Sequence, residues 1–85
     1  MFFHVRLIDN PETPEKRGQS RLDHWRYFDD HRDHFIARGA TKSDDEEVFL
    51  SSVLFVEFED WEQVRSFVHN EPHNRNGVYN DVRIN

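Results

Sequence analysis

At 85 residues the chain has room for one domain, residues 1–85, and for no second core. Hydrophobic residues make up 35% and charged ones 33%, a balance near the disordered class, but eight Phe, two Trp and two Tyr supply rings that can bury large apolar areas. A formal charge of −6 without a Lys/Arg cluster argues against a nucleic-acid partner, and the lack of Cys excludes disulfides, thiolate metal sites and Cys nucleophiles.

No stretch approaches the ~20 apolar residues of a membrane span. The opening MFFHVRLIDN lacks the basic segment and long apolar run of a signal peptide. The expectation is a protein of the cytoplasm with no membrane partner.

In chain order, Phe2 to Ile8 reads as a strand, with Phe3, Val5 and Leu7 on an apolar face and Phe2, His4, Arg6 and Ile8 on a mixed one. Asp9-Asn10-Pro11 ends it. After a polar loop, Ser20 reads as an N-cap with Asp23 as a weak capping box. The spacing then predicts a helix to about Arg38, with Leu22, Trp25, Phe28, Phe35 and Ile36 on one stripe and Gly39 as its stop. A short strand from Ala40 to Lys42 and a hairpin loop over the acidic run Ser43 to Glu47 follow. Val48 to Phe58 is a strand apolar on both faces: Val48, Leu50, Leu54, Val56 and Phe58 on one, Phe49, Val53 and Phe55 on the other. Asp60 caps a second helix to about His69, carrying Trp61, Val64, Phe67 and Val68. Glu71-Pro72 ends it, a loop closes on Gly77, and Val78 to Ile84 is the last strand.

The order is βαββαβ, an α+β ferredoxin-like fold with a four-stranded antiparallel sheet and two helices on one face. Two helices leave the other face open, and the apolar open side of the central strand predicts face-to-face packing with a second copy.

His24 lies at the edge of the buried face of the first helix, with Arg21 one turn earlier. A cation there opposes the helix dipole unless an anion compensates, so Arg21, His24 and the free amides form an anion-binding corner. Asp9, at the end of the strand leading in, can pair with either. On spacing alone, an exposed helical His beside a solvated Arg accounts for the same residues. His4 and Arg6 on the mixed strand face, with Tyr79, Asp81 and Arg83 on the last strand, line either a pocket between subunits or a hydrated rim. His31 and His34 read as a solvated polar face, since no third ligand completes a zinc site. His69 and His73 are explained by the favourable dipole of a helix end. No Gly-rich phosphate loop, G-x-S-x-G or H-E-x-x-H occurs.

The strand beginning MFF, then Asp9, Pro11, Glu15-Lys16-Arg17, Arg21 and His24, resembles the opening of the YCII-related proteins. Glu71-Pro72 followed by Asn76-Gly77-Val78-Tyr79 and Asp81-Val82 resembles their ending, with Glu71 where the family usually has Asp. The resemblance covers nearly the whole chain. It implies a dimeric α/β barrel, with a His and an acidic residue suspected of enzymatic work: here His24, with Asp9 leading over Glu71 and Asp81 as its partner. Related families include dehydrochlorinases, muconolactone-type isomerases and small monooxygenases acting on oxygenated rings.

The expected function is a cofactor-free lyase or isomerase on a small, oxygenated, anionic ring compound. His24 would shuttle the proton, since an imidazole titrates near neutrality, and Asp9 would orient it. Arg21, His4, Arg6, Tyr79 and Glu71 would contact the substrate, and no metal or cofactor is expected. The partners expected are a small-molecule ligand and the chain itself, as a homodimer or a higher oligomer. The alternative is a non-catalytic small-molecule-binding or regulatory barrel using the same cavity, since fold does not settle function.

Overall fold

The alternation of Phe3, Val5 and Leu7 becomes the buried edge of β1 (Phe2–Asp9), in a computed structural model that describes residues 1–85. β1 is central, antiparallel to β3 (Phe49–Glu57) on one side and to β4 (Tyr79–Ile84) on the other. β2 (Phe35–Lys42) closes the far edge, giving the order β2-β3-β1-β4. This is the ferredoxin-like arrangement of the βαββαβ pattern.

One face of the sheet is sealed. Phe3, Val5 and Leu7 meet Leu54 and Val56 of β3 beneath Phe28 and beneath Val64, Phe67 and Val68 of α3 (Trp61–His69). Each such side chain contributes about 1.5–3 kcal/mol by leaving water. Asp60 caps α3 as its position predicts, its side chain accepting from the Gln63 amide at 2.9 Å. Gly77, at φ 73°, occupies the left-handed region that favours glycine and turns the chain into β4.

The first long helix differs from the expectation of one running to Arg38. A short α1 (Glu15–Gln19) precedes α2 (Arg21–Asp30), and a 3-10 turn at Arg32–His34 leads into β2. Two features stop α2 early. Asp29 and Asp30 sit at its C-terminal end, where negative charge opposes the dipole, with no basic residue in its last turn. Phe35 gains more as a strand residue, pairing with Val56 and packing against Phe28 and Phe67. Gly39 is consequently mid-strand rather than a helix stop.

The stripe is also turned from the expected one. Leu22 is 63% exposed, whereas His24 and Phe28 face the sheet. Ser20 ends α1 and starts α2 without capping through its side chain. Glu71-Pro72, expected only to end a helix, also begins one, α4 (Pro72–Arg75): the Glu71 carboxylate accepts from the amides of His73 and Asn74, both at 3.1 Å.

On the other face of the sheet, Phe2 is 64% exposed and Phe55 45%, with His4 opposite Phe55 and Arg6 opposite Val53. A bulge leaves Leu50 unpaired, so that Lys42 lies opposite Phe49 instead. It re-aims Phe49, expected on the face of Val53 and Phe55, toward the helix side, where its ring lies 4.5 Å from the Arg17 guanidinium.

Candidate active site

The helices part from the sheet near its β2-β3 edge and leave a cavity of about 500 Å³. Its apolar wall is Trp25 and Phe28 from α2 and Phe49 and Leu54 from β3. Its polar groups are Arg17, Arg21, Arg38, His24, His73 and Ser52, and no carboxylate lines it. An acidic chain has thus built a cationic cavity, a field that favours an anion.

The three guanidiniums differ in freedom. Arg17 is clamped in a two-pronged bond to Asp9, through Nε at 2.8 Å and an Nη at 2.7 Å, and it donates to Ser52 Oγ at 3.1 Å. Burial works against its charge, but Asp9 outweighs this and raises its pKa. Arg38 lies 5.4 Å above the Phe28 ring with one long contact, 3.5 Å, to the exposed Asp29. Arg21 forms none of the ion pairs in the chain and is the cation free to meet a ligand.

His24 is 7% exposed, one turn before Phe28 on the inner face of α2. Its Nδ1 is hydrogen-bonded to the Glu71 carboxylate, which is wholly buried. The bond to Nδ1 sets the tautomer and leaves Nε2 free. Glu71 holds three groups together, the His24 ring and the amides of His73 and Asn74, and through the two amides it fixes the start of α4.

The His73 ring stacks on His24 at 3.9 Å and 15° and is anchored by Ser20 Oγ at 2.5 Å from its Nδ1. Burial, then the neighbouring His24, Arg17 and Arg21, push its pKa down to about 3, so it is neutral near pH 7. It is not the helix-end cation of the dipole argument; it is 1% exposed at the start of α4.

Several expected site residues lie elsewhere. Asp9 does not reach His24, because both its oxygens are taken by Arg17. Asp81 pairs with Arg83 at the surface. Glu71 cannot touch a substrate, since it is sealed behind His24; it orients the imidazole instead. Tyr79 is 8% exposed, packed edge-on to His73, and does not line the cavity. Burial and the Glu71 charge raise its pKa, and its hydroxyl is buried without a hydrogen-bond partner. His4 and Arg6 point to the opposite face of the sheet, alternate to Val5 and Leu7. His31 and His34 bond through Nδ1 to the Tyr27 and Glu57 carbonyls, at 2.7 Å and 2.9 Å.

The sequence reading missed Arg17, Arg38, Ser20 and His73. Arg38 was hidden by the overlong helix. For His73 a signal existed: Pro72 after an acidic residue is also a helix start, which places His73 two residues beyond a capping carboxylate.

A scan against protein families matches residues 1–85 to the YCII-related domain. Among solved structures, the chain is similar to the 5-chloro-2-hydroxyhydroquinone dehydrochlorinase of Burkholderia phenoliruptrix in complex with 2,5-dihydroxybenzoquinone. The TM-score is 0.90 at 25% identity, over 100% of this chain and 91% of that one. A comparison with curated proteins finds no match.

Proposed function

The chain belongs to the YCII-related domain family, and on that premise we propose that its cavity carries out cofactor-free proton transfer on a small, oxygenated, anionic ring compound. The reaction is a lyase step of the dehydrochlorinase kind or an isomerisation. The observation that carries this reading is a single imidazole, His24, fixed by a buried carboxylate and set in a cavity with three guanidiniums.

In this scheme Arg21 and Arg38 hold the ring's oxyanion, and the aromatic wall of Trp25, Phe28 and Phe49 excludes water. His24 Nε2 takes a proton from the ring. The imidazolium so formed lies against the Glu71 carboxylate, which stabilises the added charge. In an isomerisation the proton returns to another ring atom. In a dehydrochlorination of a chlorinated hydroquinone the proton that His24 takes from a ring hydroxyl returns to the chlorine-bearing carbon. His24 then takes the proton of a second hydroxyl, whose bond pair becomes a carbonyl π bond as chloride leaves with the C–Cl pair, and it releases that proton to solvent. The similarity to a dehydrochlorinase supports this choice of chemistry.

The test is a panel of chlorinated and hydroxylated hydroquinones, read by chloride release and by deuterium uptake from heavy water. Wild type should act on at least one member, and His24→Gln should be slower by about 10²–10⁴-fold. A variant as fast as wild type, or a panel wholly inert, would sink the reading in favour of a binding module.

We also propose that the open sheet face packs against that of a second copy. Exposed Phe2, Ile36 and Phe55 support this. Sedimentation should show a dimer that Phe55→Asp converts to monomer, because a charge facing its own copy is desolvated without a partner; a monomeric wild type rules the dimer out.

A further inference from the structure

We propose that His73 is the neutral hydrogen-bond donor of the cavity: Ser20 holds its ring in the tautomer whose Nε2–H points to the oxyanion, beside the Nε2 lone pair of His24. This rests on the reading of the cavity as a proton-transfer site and adds a second group that touches the substrate.

The tautomer follows from counting lone pairs. The Lys16 carbonyl already accepts from the Ser20 amide at 3.3 Å and from Asn76 Nδ2 at 3.0 Å, which uses both of its lone pairs. The Ser20 hydroxyl is within donating reach of that same oxygen, at 3.3 Å, but His73 Nδ1 is much nearer, at 2.5 Å, and offers an unused lone pair. Its hydrogen therefore goes to Nδ1, and the neutral ring must carry its own hydrogen on Nε2. That nitrogen has no protein partner, yet it is not sealed in the core. The only sealed side-chain polar atoms without a partner are Thr13 Oγ1 and Tyr79 Oη. Nε2 thus opens on the cavity that His73 lines.

His24 is set the opposite way. Glu71 accepts its Nδ1–H, so its Nε2 is an acceptor. The parallel rings, 3.9 Å apart, place a base and a donor side by side against one ligand. Burial first, then His24 and Arg21 from α2 and Arg17 from α1, keep His73 uncharged, while Tyr79 packs edge-on from β4 and the carboxylate of Glu71 is bonded to the His73 amide and the His24 ring. A neutral imidazole keeps its N–H while donating to an oxyanion, where an imidazolium would surrender the proton and quench it.

Nitrogen-resolved NMR of the histidine rings at pH 7 tests this. His73 should be neutral with its hydrogen on Nε2, and Ser20→Ala should give mixed tautomers. The probe 2,5-dihydroxybenzoquinone should shift the His73 Nε2–H signal. His73→Phe, which keeps a ring against His24, should weaken binding of that probe by about tenfold or more. His73→Gln, with an amide nitrogen near the Nε2 position, should restore it. A hydrogen on Nδ1, a protonated His73, a wild type that ignores the probe or a Phe variant that binds as wild type would each overturn the donor role. Absence of turnover speaks against the proton-transfer reading alone, whereas an Nδ1–H tautomer speaks against the donor alone.

Discussion

The two faces of the sheet each present a histidine beside an aromatic ring, and only one of the two rings is held in place by a hydrogen bond. His4 lies 5.8 Å from Phe55 on the open face, with no hydrogen bond from its ring. His24 lies 4.2 Å from Phe28 on the covered face, with one nitrogen held by Glu71. The difference teaches that the second nitrogen decides what an imidazole can do. A fixed Nδ1 turns Nε2 into an aimed base, whereas an unheld ring rotates and presents neither nitrogen at a set place.

Removing the group that holds the ring should break the contrast most strongly. Glu71→Ala strips the His24 partner and the cap of α4 at once, and should cost about 3–5 kcal/mol of stability, as loss of one partner of a buried pair does. A denaturant melt checks this. A loss under 1 kcal/mol would show that Glu71 does not organise the site.

Acid should expose the second imidazole. The folded-state pKa of His73, about 3, lies below its ordinary 6.5, so the unfolded chain binds that proton more tightly. Its contribution to stability is therefore whole above pH 6.5 and is lost as pH falls toward 3, by up to roughly 1.4 kcal/mol per pH unit. Melting temperatures between pH 7 and pH 4 should fall less steeply for His73→Phe than for wild type. Equal slopes would mean that His73 titrates normally. The smallest effect belongs to the open face: His4→Gln should change monomer stability by no more than about 0.5 kcal/mol and leave cavity binding intact.

The fold was legible because its signals are local. Phe3, Val5 and Leu7 alternate whatever surrounds them, Asp60 caps whatever helix follows, and Gly77 sits where the backbone must turn with positive φ. The misreading of Phe35 and Ile36 as helix shows where locality ends. Their spacing fits a helical stripe, and only the pairing of Phe35 with Val56, 21 positions along the chain, makes them strand. Arg17, by contrast, carries no local sign of its role; the bond to Asp9 exists because α1 folds back over the end of β1.

By itself, the sequence determined the βαββαβ order and the covered and open faces of β1, which depend on period and spacing within each element. His24 with Arg21 came forward through the family resemblance, since spacing alone allows an ordinary helical histidine. The tertiary structure alone decided that Glu71 rather than Asp9 holds His24, that His73 stacks beside it and that three arginines converge on one cavity. The contacts around His24 and His73 join residues 47 to 53 positions apart, whose distances are set by how helices seat on the sheet and by no periodicity in the chain.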